Sequence, residues 1–401
     1  MSRYNDDNPT TAPALNRLID YRHRRLQQQI INNDCAAALL CNPINIRYAT
    51  GFHYAQVSNL RSPTHYAFVP AEGPSIVFGQ NLLPPEPFPG CVQFVQDIPV
   101  PSYFVVGDGY KQITEQWVRL ISDHVALLGA NKRLAIDTHE PELFTGLTEF
   151  GIVCVNAEPL VEQAGVIKSD DELACISKSI RIAEQGLRRV LDNVQPGVTE
   201  QALWAYLAYE NARNGGEGFE YRILSSGYLT NPWGRECSNK RIESGELIGI
   251  DTGMIGPDGY CADISRTFQC GPSKPTINQK ELYQAACDNL NFNMNLLYPG
   301  LSFQEFSQKS WPVPSYFWAR RYNSVAHGVG MGNEWPKIPF NKDWGDCRLD
   351  GHLQENMVLA IESCICRESS GECVKLEDMV VITQDGYQQL SKFPLEDSLL
   401  T

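Results

Sequence analysis

The feature that most constrains this chain is the segment IGIDTGMIGPDGYCADISRTF, residues 248–268, in which two aspartates interrupt apolar, strand-like runs. Burying a carboxylate among such residues costs free energy unless the carboxylate is paired. A two-residue loop between the strands would put Asp251 and Asp263 on opposite faces of a hairpin. A three-residue loop over 256–258, with glycines at the turn, pairs Asp251 directly with Asp263. Two carboxylates this close do not both ionise unaided, so the pattern predicts either a protonated acid or a bound metal.

Three further polar residues lie in apolar, strand-like surroundings downstream. Glu362 lies in MVLAIESCIC, Glu377 in CVKLEDMVVIT, and His327 enters the glycine-rich SVAHGVGMG. Taken singly, each acid is explained by a salt bridge at a strand end and the histidine by a paired core position. Taken with the two aspartates, they predict an oxygen-rich site for two divalent ions, for which Mn²⁺, Fe²⁺, Co²⁺ or Zn²⁺ are suitable.

The remaining sequence predicts two domains. Helical and strand-like segments alternate up to about residue 160, for example LNRLIDYRHRRLQQQI, AAALLC and THYAFV, which indicates an α/β domain over residues 1–165. From residue 166 helices begin at Ser169, Thr199, Thr276 and Ser302, and the first, third and fourth carry a Glu or Gln three residues later, as in a capping box. Strands are predicted between and after them, at 220–226, 247–255, 260–269, 357–366 and 373–383. Strand pairs joined by turns predict an α+β domain with an antiparallel sheet over residues 166–401.

Net charge and cysteine content limit the classes of partner and the cellular compartment that are expected for this chain. The net charge of −14 argues against a nucleic-acid or anionic-membrane partner. No apolar run is long enough to span a bilayer, and no cleavable N-terminal signal is visible. The thirteen cysteines are scattered through apolar segments, which predicts buried thiols in a reducing cytoplasm. Cys364 and Cys366 are too close in sequence for a zinc knuckle and lack a matching second pair.

The order Asp, Asp, His-Gly-x-Gly, Glu, Glu resembles the M24 family of "pita-bread" metalloenzymes, which includes methionine aminopeptidase, aminopeptidase P, prolidase and creatinase. The resemblance implies a creatinase-type N-terminal α/β domain and a pita-bread α+β catalytic domain with a curved, mostly antiparallel sheet. It also implies a homodimer. The five metal ligands would be Asp251, Asp263, His327, Glu362 and Glu377.

Two segments distinguish between branches of this family. Prolidase-like members carry extra histidines near the metals, whereas LSSGYLTNPWGREC contains none and HGVGMGNEWPKIP contains only the candidate ligand. These segments, together with NIRYAT, GYCADISRTF and VKLEDMVVITQDGYQQLSKFP, resemble the DddP-type dimethylsulfoniopropionate (DMSP) lyases. The resemblance implies a metal-assisted β-elimination that converts a small zwitterion into dimethyl sulfide and acrylate. The alternative function is hydrolysis of a C–N bond, in an Xaa-Pro dipeptide or in a cyclic or N-methylated amino-acid derivative.

The chain departs from that branch at three positions. Gly253 stands where the branch has a second aspartate, Asn333 where it has the aspartate proposed as the base, and Ser58 where an aromatic lines its onium pocket. An amide cannot accept the proton, so either the role of base passes from Asn333 to another group or the reaction is a different one. Tyr322 matches a tyrosine of the branch and is either the replacement base or a core aromatic with its hydroxyl paired.

Three more residues are candidates for contact with the substrate. Trp335 and Glu334 either build a pocket in which the indole face attracts a sulfonium group, or Trp335 is a core or interface aromatic. Arg266 either pairs with the ligand carboxylates or binds a carboxylate of the substrate.

Overall fold

The computed structural model describes residues 12–53, 64–79, 90–96, 100–101, 106–129, 131–138, 140–345, 350–368 and 371–400. Ser58, which was expected to line the substrate pocket, lies outside these residues. Contacts divide the chain into two compact units, one ending at Gly165 and one starting at Val166. None of the described helices has both the length and the apolar character needed to cross a membrane.

The first unit is built on a mixed six-stranded sheet with the strand order β4-β3-β2-β1-β5-β6. Its strands are β1 (Ala37–Leu40), β2 (His65–Pro70), β3 (Ser75–Gly79), β4 (Val92–Gln96), β5 (Arg133–Ile136) and β6 (Val153–Asn156). Its helices are α1 (Ala12–Asn32), α2 (Pro43–Thr50), α3 (Asp108–Leu127), α4 (Pro141–Glu149) and α5 (Glu158–Gly165). Trp117 and Ile121 of α3 share one buried core with Leu39 and Phe78 of the sheet, so the predicted α/β organisation is confirmed.

The second unit contains an eight-stranded sheet in which strands run in the order β14-β13-β15-β16-β12-β9-β8, with β17 also paired to β16. Every neighbouring pair in it is antiparallel. Its strands are β8 (Leu224–Ser226), β9 (Leu247–Asp251), β12 (Ser265–Gln269), β13 (Ser324–Val329), β14 (Asn333–Pro339), β15 (Val358–Cys366), β16 (Cys373–Thr383) and β17 (Gly386–Gln389). A small second sheet joins β7 (Gly218–Phe219), β10 (Met254–Ile255) and β11 (Cys261–Ala262).

The helices of the second unit begin where local capping chemistry predicts. They are α6 (Asp170–Asp192), α7 (Glu200–Arg213), α8 (Ile277–Met294), α9 (Phe303–Lys309) and α10 (Ser315–Trp318). Full capping boxes are formed by Ser169 before α6 and by Thr276 before α8. Ser302 accepts a hydrogen bond from the backbone of Glu305 at the start of α9. Side chains that satisfy the first free N–H groups fix these starts.

The two faces of the large sheet differ in chemistry because successive residues of a strand point to opposite sides. Leu359 and Ile361 of β15, with Leu376 of β16, join a core that also contains Leu282 and Leu290 of α8. Glu362 and Glu377 are paired directly across the same two strands and point to the other face. The second unit is therefore the predicted α+β fold, with one face of the sheet covered by helices.

The hairpin that carries the two aspartates has a different register from the one expected. Asp251 pairs with Ser265, not with Asp263, so the predicted direct pair is wrong. The reversal lies at residues 257–259, where Asp258 and Gly259 adopt positive φ angles of 64° and 78°. Asp263 is two residues from Ser265, and both therefore project to the same face as Asp251.

Candidate metal centre

Five buried side chains converge on the face of the sheet that α8 does not cover. Asp251, Asp263, His327, Glu362 and Glu377 are each at most 5% exposed. Nε2 of His327 lies 3.3 Å from Oε1 of Glu362 and 3.5 Å from Oε1 of Glu377. It lies 3.7 Å from Oδ2 of Asp263. The structure thus brings together the five residues that the sequence singles out.

A buried lysine, which was not anticipated, occupies the centre of this acidic cluster. Lys375 lies two residues before Glu377 on the same face, and its side chain is 0% exposed. Its Nζ is 2.7 Å from Oε2 of Glu362, 2.8 Å from Oε2 of Glu377 and 3.6 Å from Oδ2 of Asp251. Burial opposes its charge, but Glu362 and Glu377 outweigh burial and raise the pKa of Lys375 well above its usual range. Lys375 is therefore a fixed positive charge.

Two hydroxyl groups orient the carboxylates. The hydroxyl of Tyr221 donates toward Oδ1 of Asp263 at 2.6 Å and also lies 3.2 Å from Oδ1 of Asp251. Ser265 donates to Oε2 of Glu377 at 2.7 Å and accepts from Lys375 at 2.8 Å. Burial, with the charges of both aspartates, raises the pKa of Tyr221 well above its usual range, so this tyrosine remains a neutral donor.

Burial and the neighbouring charges shift the pKa values of these side chains in different directions. Burial raises the pKa of Asp251 to about 6, although Lys375 acts against this shift. Burial and the charges of Glu377 and Asp251 raise the pKa of Asp263 well above its usual range. Burial opposes the charged form of His327, but Glu362 and Glu377 raise its pKa well above the usual range. Burial also opposes ionisation of Glu377, yet Lys375 and His327 lower its pKa to about 2.

The donor set fits divalent ions. Four carboxylates and one imidazole on one rigid sheet face suit hard to borderline metals. Asp263, His327 and Glu377 each offer a ligand atom within 4.8 Å of the others. Oε1 of Glu377 is buried, and Nε2 of His327 lies 3.5 Å from it. A divalent ion bound here would take both atoms as ligands in place of this long contact.

A cavity of about 470 Å³ opens beside this cluster. Its lining includes Asp251, Tyr221, Tyr322 and Trp233. A side chain at Gly249 would place a Cβ 2.5 Å from the Trp233 ring, so this strand glycine allows the indole to lie against the sheet. Trp233 and Tyr322 thus form an aromatic wall of this cavity, and Trp233 was not among the residues that the sequence patterns indicated.

Tyr322 lies at the site, whereas Asn333 lies at the protein surface. Tyr322 lines the cavity, and its ring centroid is 5.4 Å from Nζ of Lys375. Burial and the charge of Glu362 raise its pKa, so the phenol is a poor base in the metal-free protein. Asn333 is exposed at the start of β14, and its backbone N–H donates to Oε1 of Glu220 at 3.1 Å. Desolvation raises the pKa of Glu220 on balance, against the opposing effects of Asn333 and His327.

Glu334 and Trp335 are engaged in structural contacts. Oε1 of Glu334 accepts from the backbone of Met331 at 2.7 Å, and Oε2 pairs with the buried Lys168 at 2.8 Å. These two bonds hold the glycine-rich turn between β13 and β14. Trp335 packs against the hydrophobic core and meets Phe303 edge-on, with ring centroids 5.2 Å apart. The core interpretation of Trp335 therefore agrees with the structure better than the pocket interpretation.

Arg266 is directed to the opposite face of the sheet, so its position agrees neither with pairing to the ligand carboxylates nor with contact to a substrate carboxylate, the two roles expected for it. It follows Ser265, whose side chain points to the metal face, and successive residues alternate. Its guanidinium donates to the carboxylate of Asp378 at 2.7 Å and to the backbone oxygens of Ser265, Glu377 and Phe393. It is 1% exposed. Through the Glu377 carbonyl it supports the strand but does not touch a ligand carboxylate.

Two family models match the chain. The model of metallopeptidase family M24 matches residues 174–384, and the model of the creatinase/prolidase N-terminal domain matches residues 22–164. Both lie within the corresponding compact units. Family M24 is metal-dependent, in agreement with the acidic cluster described above.

Individual relatives include proteins with two different named activities. A dimethylsulfoniopropionate lyase DddP of Roseovarius nubinhibens is 31% identical, over 97% of this chain and 89% of the relative. An Xaa-Pro dipeptidase of Pyrococcus horikoshii is 29% identical, over 59% of this chain and 65% of the relative. The solved structure of an Xaa-Pro dipeptidase from Bacillus anthracis superposes with a TM-score of 0.75 at 21% identity, covering 94% of this chain and 99% of that one. The chain therefore belongs to metallopeptidase family M24, and it has the two-domain fold, creatinase-type and pita-bread, that its motifs implied.

Proposed function

We propose that this enzyme is a metal-dependent lyase that eliminates dimethyl sulfide from DMSP. The observation that carries the proposal is the match, over nearly the whole length of both chains, to a relative named as a DMSP lyase. The chain has seven histidines, and only His327 and His352 lie beyond residue 165. The backbone of His352 pairs with that of Ser302 in an isolated β-bridge outside the strands that carry the acidic cluster.

The shortage of imidazoles favours elimination over peptide hydrolysis. Cleaving a C–N bond requires a proton for the leaving amine, and histidine is the usual donor near neutral pH. In the elimination, a base takes the proton from the carbon beside the carboxylate and that electron pair becomes the new double bond. The C–S pair departs with sulfur, so a cationic sulfonium leaves as neutral dimethyl sulfide and needs no proton. A site whose imidazole is a metal ligand is sufficient for this reaction.

The cavity has groups suited to both ends of such a substrate. Trp233 and Tyr322 line the cavity, and aromatic rings attract sulfonium and quaternary ammonium groups; Nζ of Lys375 already lies 5.8 Å and 5.4 Å from the two ring centroids. Asp251 of the acidic cluster lies in the same lining. We propose that Asp251, Asp263, His327, Glu362 and Glu377 hold two divalent ions. Such ions, when bound, would anchor the substrate carboxylate and stabilise the negative charge that develops on it.

Glu220 is the first candidate for the proton acceptor, because it lies beside Asn333. Glu220 accepts the backbone N–H of Asn333, so a carboxylate lies next to the position where the lyase branch has its aspartate. Tyr322 is the second candidate, in its ionised form. Assembly as a cytoplasmic homodimer is part of the same proposal and rests on the family resemblance.

The test is a paired activity assay. Metal-free protein is loaded separately with Fe²⁺, Mn²⁺, Co²⁺ and Zn²⁺, bound metal is quantified, and DMSP is supplied. We expect equimolar dimethyl sulfide and acrylate from at least one loaded form, and neither product from Asp263→Ala. Metal-loaded, folded protein that releases no dimethyl sulfide with any of these ions would refute the lyase proposal.

Hydrolysis of a C–N bond is the second candidate, and the similarity to an Xaa-Pro dipeptidase supports it. The same loaded samples are therefore given Gly-Pro, Ala-Pro and cyclic or N-methylated amino-acid derivatives, with amine release as the readout. Turnover of a dipeptide at a rate above that on DMSP would establish the hydrolase in place of the lyase.

A further inference from the structure

Three cysteine side chains form a cluster on the same two strands as the acidic site. Cys364 and Cys366 belong to β15 and Cys373 to β16, and each is at most 3% exposed. Their sulfur atoms all lie within 4.8 Å of one another, and those of Cys364 and Cys373 are 3.4 Å apart. Cys364 and Cys366 have no matching second pair of cysteines in the sequence, but the neighbouring strand β16 brings a third thiol, that of Cys373, next to them.

The register separates this cluster from the carboxylates. Glu362 pairs with Glu377, Cys364 with Lys375, and Cys366 with Cys373. These three pairs follow one another along one face, at about 7 Å for every two residues. On β16 Lys375 lies between Glu377 and Cys373, and on β15 Cys364 lies opposite Lys375. The face thus carries two chemically different sets of ligands, one of oxygen and nitrogen and one of sulfur.

The distances suit a thiophilic ion. Zinc–sulfur bonds of about 2.3 Å in tetrahedral geometry place sulfur atoms about 3.8 Å apart, within the range spanned by this cluster. The thiolate is the form of cysteine that binds metal, so an ion bound here would displace the thiol protons. Cys364 also lines the cavity that reaches Asp251, so an ion has an access route and room for a solvent ligand.

We propose that Cys364, Cys366 and Cys373 bind one thiophilic divalent ion such as Zn²⁺, at a site separate from the carboxylate–imidazole site. Trp233 and Tyr322 pack against the three cysteines. An ion held by the thiols therefore fixes the two aromatic side chains that line the substrate cavity, and its structural effect reaches the pocket directly.

Cobalt provides the first test, because thiolate ligands give Co²⁺ an intense near-ultraviolet charge-transfer band that carboxylate and imidazole ligands do not give. Full-length protein, reduced and metal-free, is titrated with Co²⁺ as wild type and as the variants Cys373→Ser, Asp263→Ala and Cys270→Ser. Cys270 is equally buried and is not part of the cluster. We expect the band in wild type, Asp263→Ala and Cys270→Ser, saturating at one thiolate-bound ion per chain, and its loss in Cys373→Ser.

X-ray absorption of zinc-loaded wild type gives the second test and requires no variant to fold. We expect a shell of sulfur atoms at about 2.3 Å in addition to nitrogen and oxygen atoms at about 2.0–2.2 Å. Nitrogen and oxygen alone, or a cobalt band that survives in Cys373→Ser, would overturn the proposal. A disulfide between Cys364 and Cys373 found by mass spectrometry in protein kept reduced and supplied with zinc would do the same.

Discussion

Lys375 holds the acidic cluster together in the metal-free protein, and removing its charge is a direct test of that role. Its Nζ lies 2.7 Å from Glu362, 2.8 Å from Glu377 and 3.6 Å from Asp251. Lys375→Met keeps the unbranched apolar part of the side chain, one heavy atom shorter than lysine, and removes the ammonium group. The three carboxylates then share a buried site without that charge, while bound divalent ions would neutralise them in its place.

The size of the effect follows from these distances. At an effective dielectric constant of about 20, two unit charges about 2.7 Å apart attract by about 6 kcal/mol before desolvation is counted. Breaking a buried pair by removing one partner costs about 3–5 kcal/mol. We therefore expect Lys375→Met to lower the unfolding free energy of the metal-free protein by about 3–5 kcal/mol, and by much less once the site is loaded.

The assay is urea unfolding of chelator-treated and Mn²⁺-loaded protein, and Lys168→Met is the matched control. Lys168 is a second buried lysine, and it pairs with Glu334 at 2.8 Å, a carboxylate outside the five candidate ligands. Lys168→Met should also destabilise the protein, but manganese should restore no more stability to it than to wild type. An equal gain from manganese in both variants would show that Lys375 and the metal do not neutralise the same carboxylates.

Three other predictions concern protons and metal affinity. Because Asp251 has its pKa raised from 3.8 to about 6, the folded metal-free protein binds more protons than the unfolded chain. The contribution of Asp251 to the unfolding free energy should therefore fall as the pH rises from 3.8 to about 6, whereas metal-loaded protein, measured alongside by urea unfolding, should lack this fall. Tyr221→Phe should lower the metal affinity about 10- to 100-fold in a competition titration, whereas the control Tyr228→Phe, at an exposed tyrosine, should bind metal as tightly as wild type. Equal metal affinities in Tyr221→Phe and wild type would show that Tyr221 does not orient the metal ligands. If Glu220 is the base, Glu220→Gln should lower lyase turnover about a hundredfold or more, and adding Asn333→Asp to that variant should raise its turnover again. Full activity in Glu220→Gln would exclude Glu220 and leave Tyr322 as the candidate base, which Tyr322→Phe then tests.

Features fixed by local chemistry were predictable from sequence. Ser169 and Thr276 predict the starts of their helices because the residue that completes each capping box lies only three positions further along the chain. The common face of Asp251 and Asp263 was also predicted, although the register was wrong. Pairing Asp251 with Ser265 instead of Asp263 moves the partner by two residues, and a shift of two leaves every side chain on the same face.

Features that depend on distant strands were not predictable in this way. Lys375 lies two residues before Glu377 in CVKLED, a pattern typical of a strand whose lysine faces solvent. This face is buried by the pairing with β15, which the neighbouring residues in the sequence do not indicate. Tyr221 lies in an irregular connection before β8, and its partners are 30 and 42 residues away. The strand glycine Gly249 was the one available signal for Trp233, since a glycine inside a strand often marks a close approach.

The charge balance of the site bears on the number of ions and the kind of substrate. The ligand set contains the carboxylates of Asp251, Asp263, Glu362 and Glu377, and Lys375 contributes one fixed positive charge. With His327 neutral, as a metal ligand must be, the protein groups carry three net negative charges. One divalent ion leaves the site negative, and it would repel a substrate carboxylate. Two divalent ions leave a single positive charge, which one substrate carboxylate neutralises. A two-ion site retaining Lys375 is thus matched to a monocarboxylate, whose other end would lie near the aromatic side chains of Trp233 and Tyr322 that line the cavity.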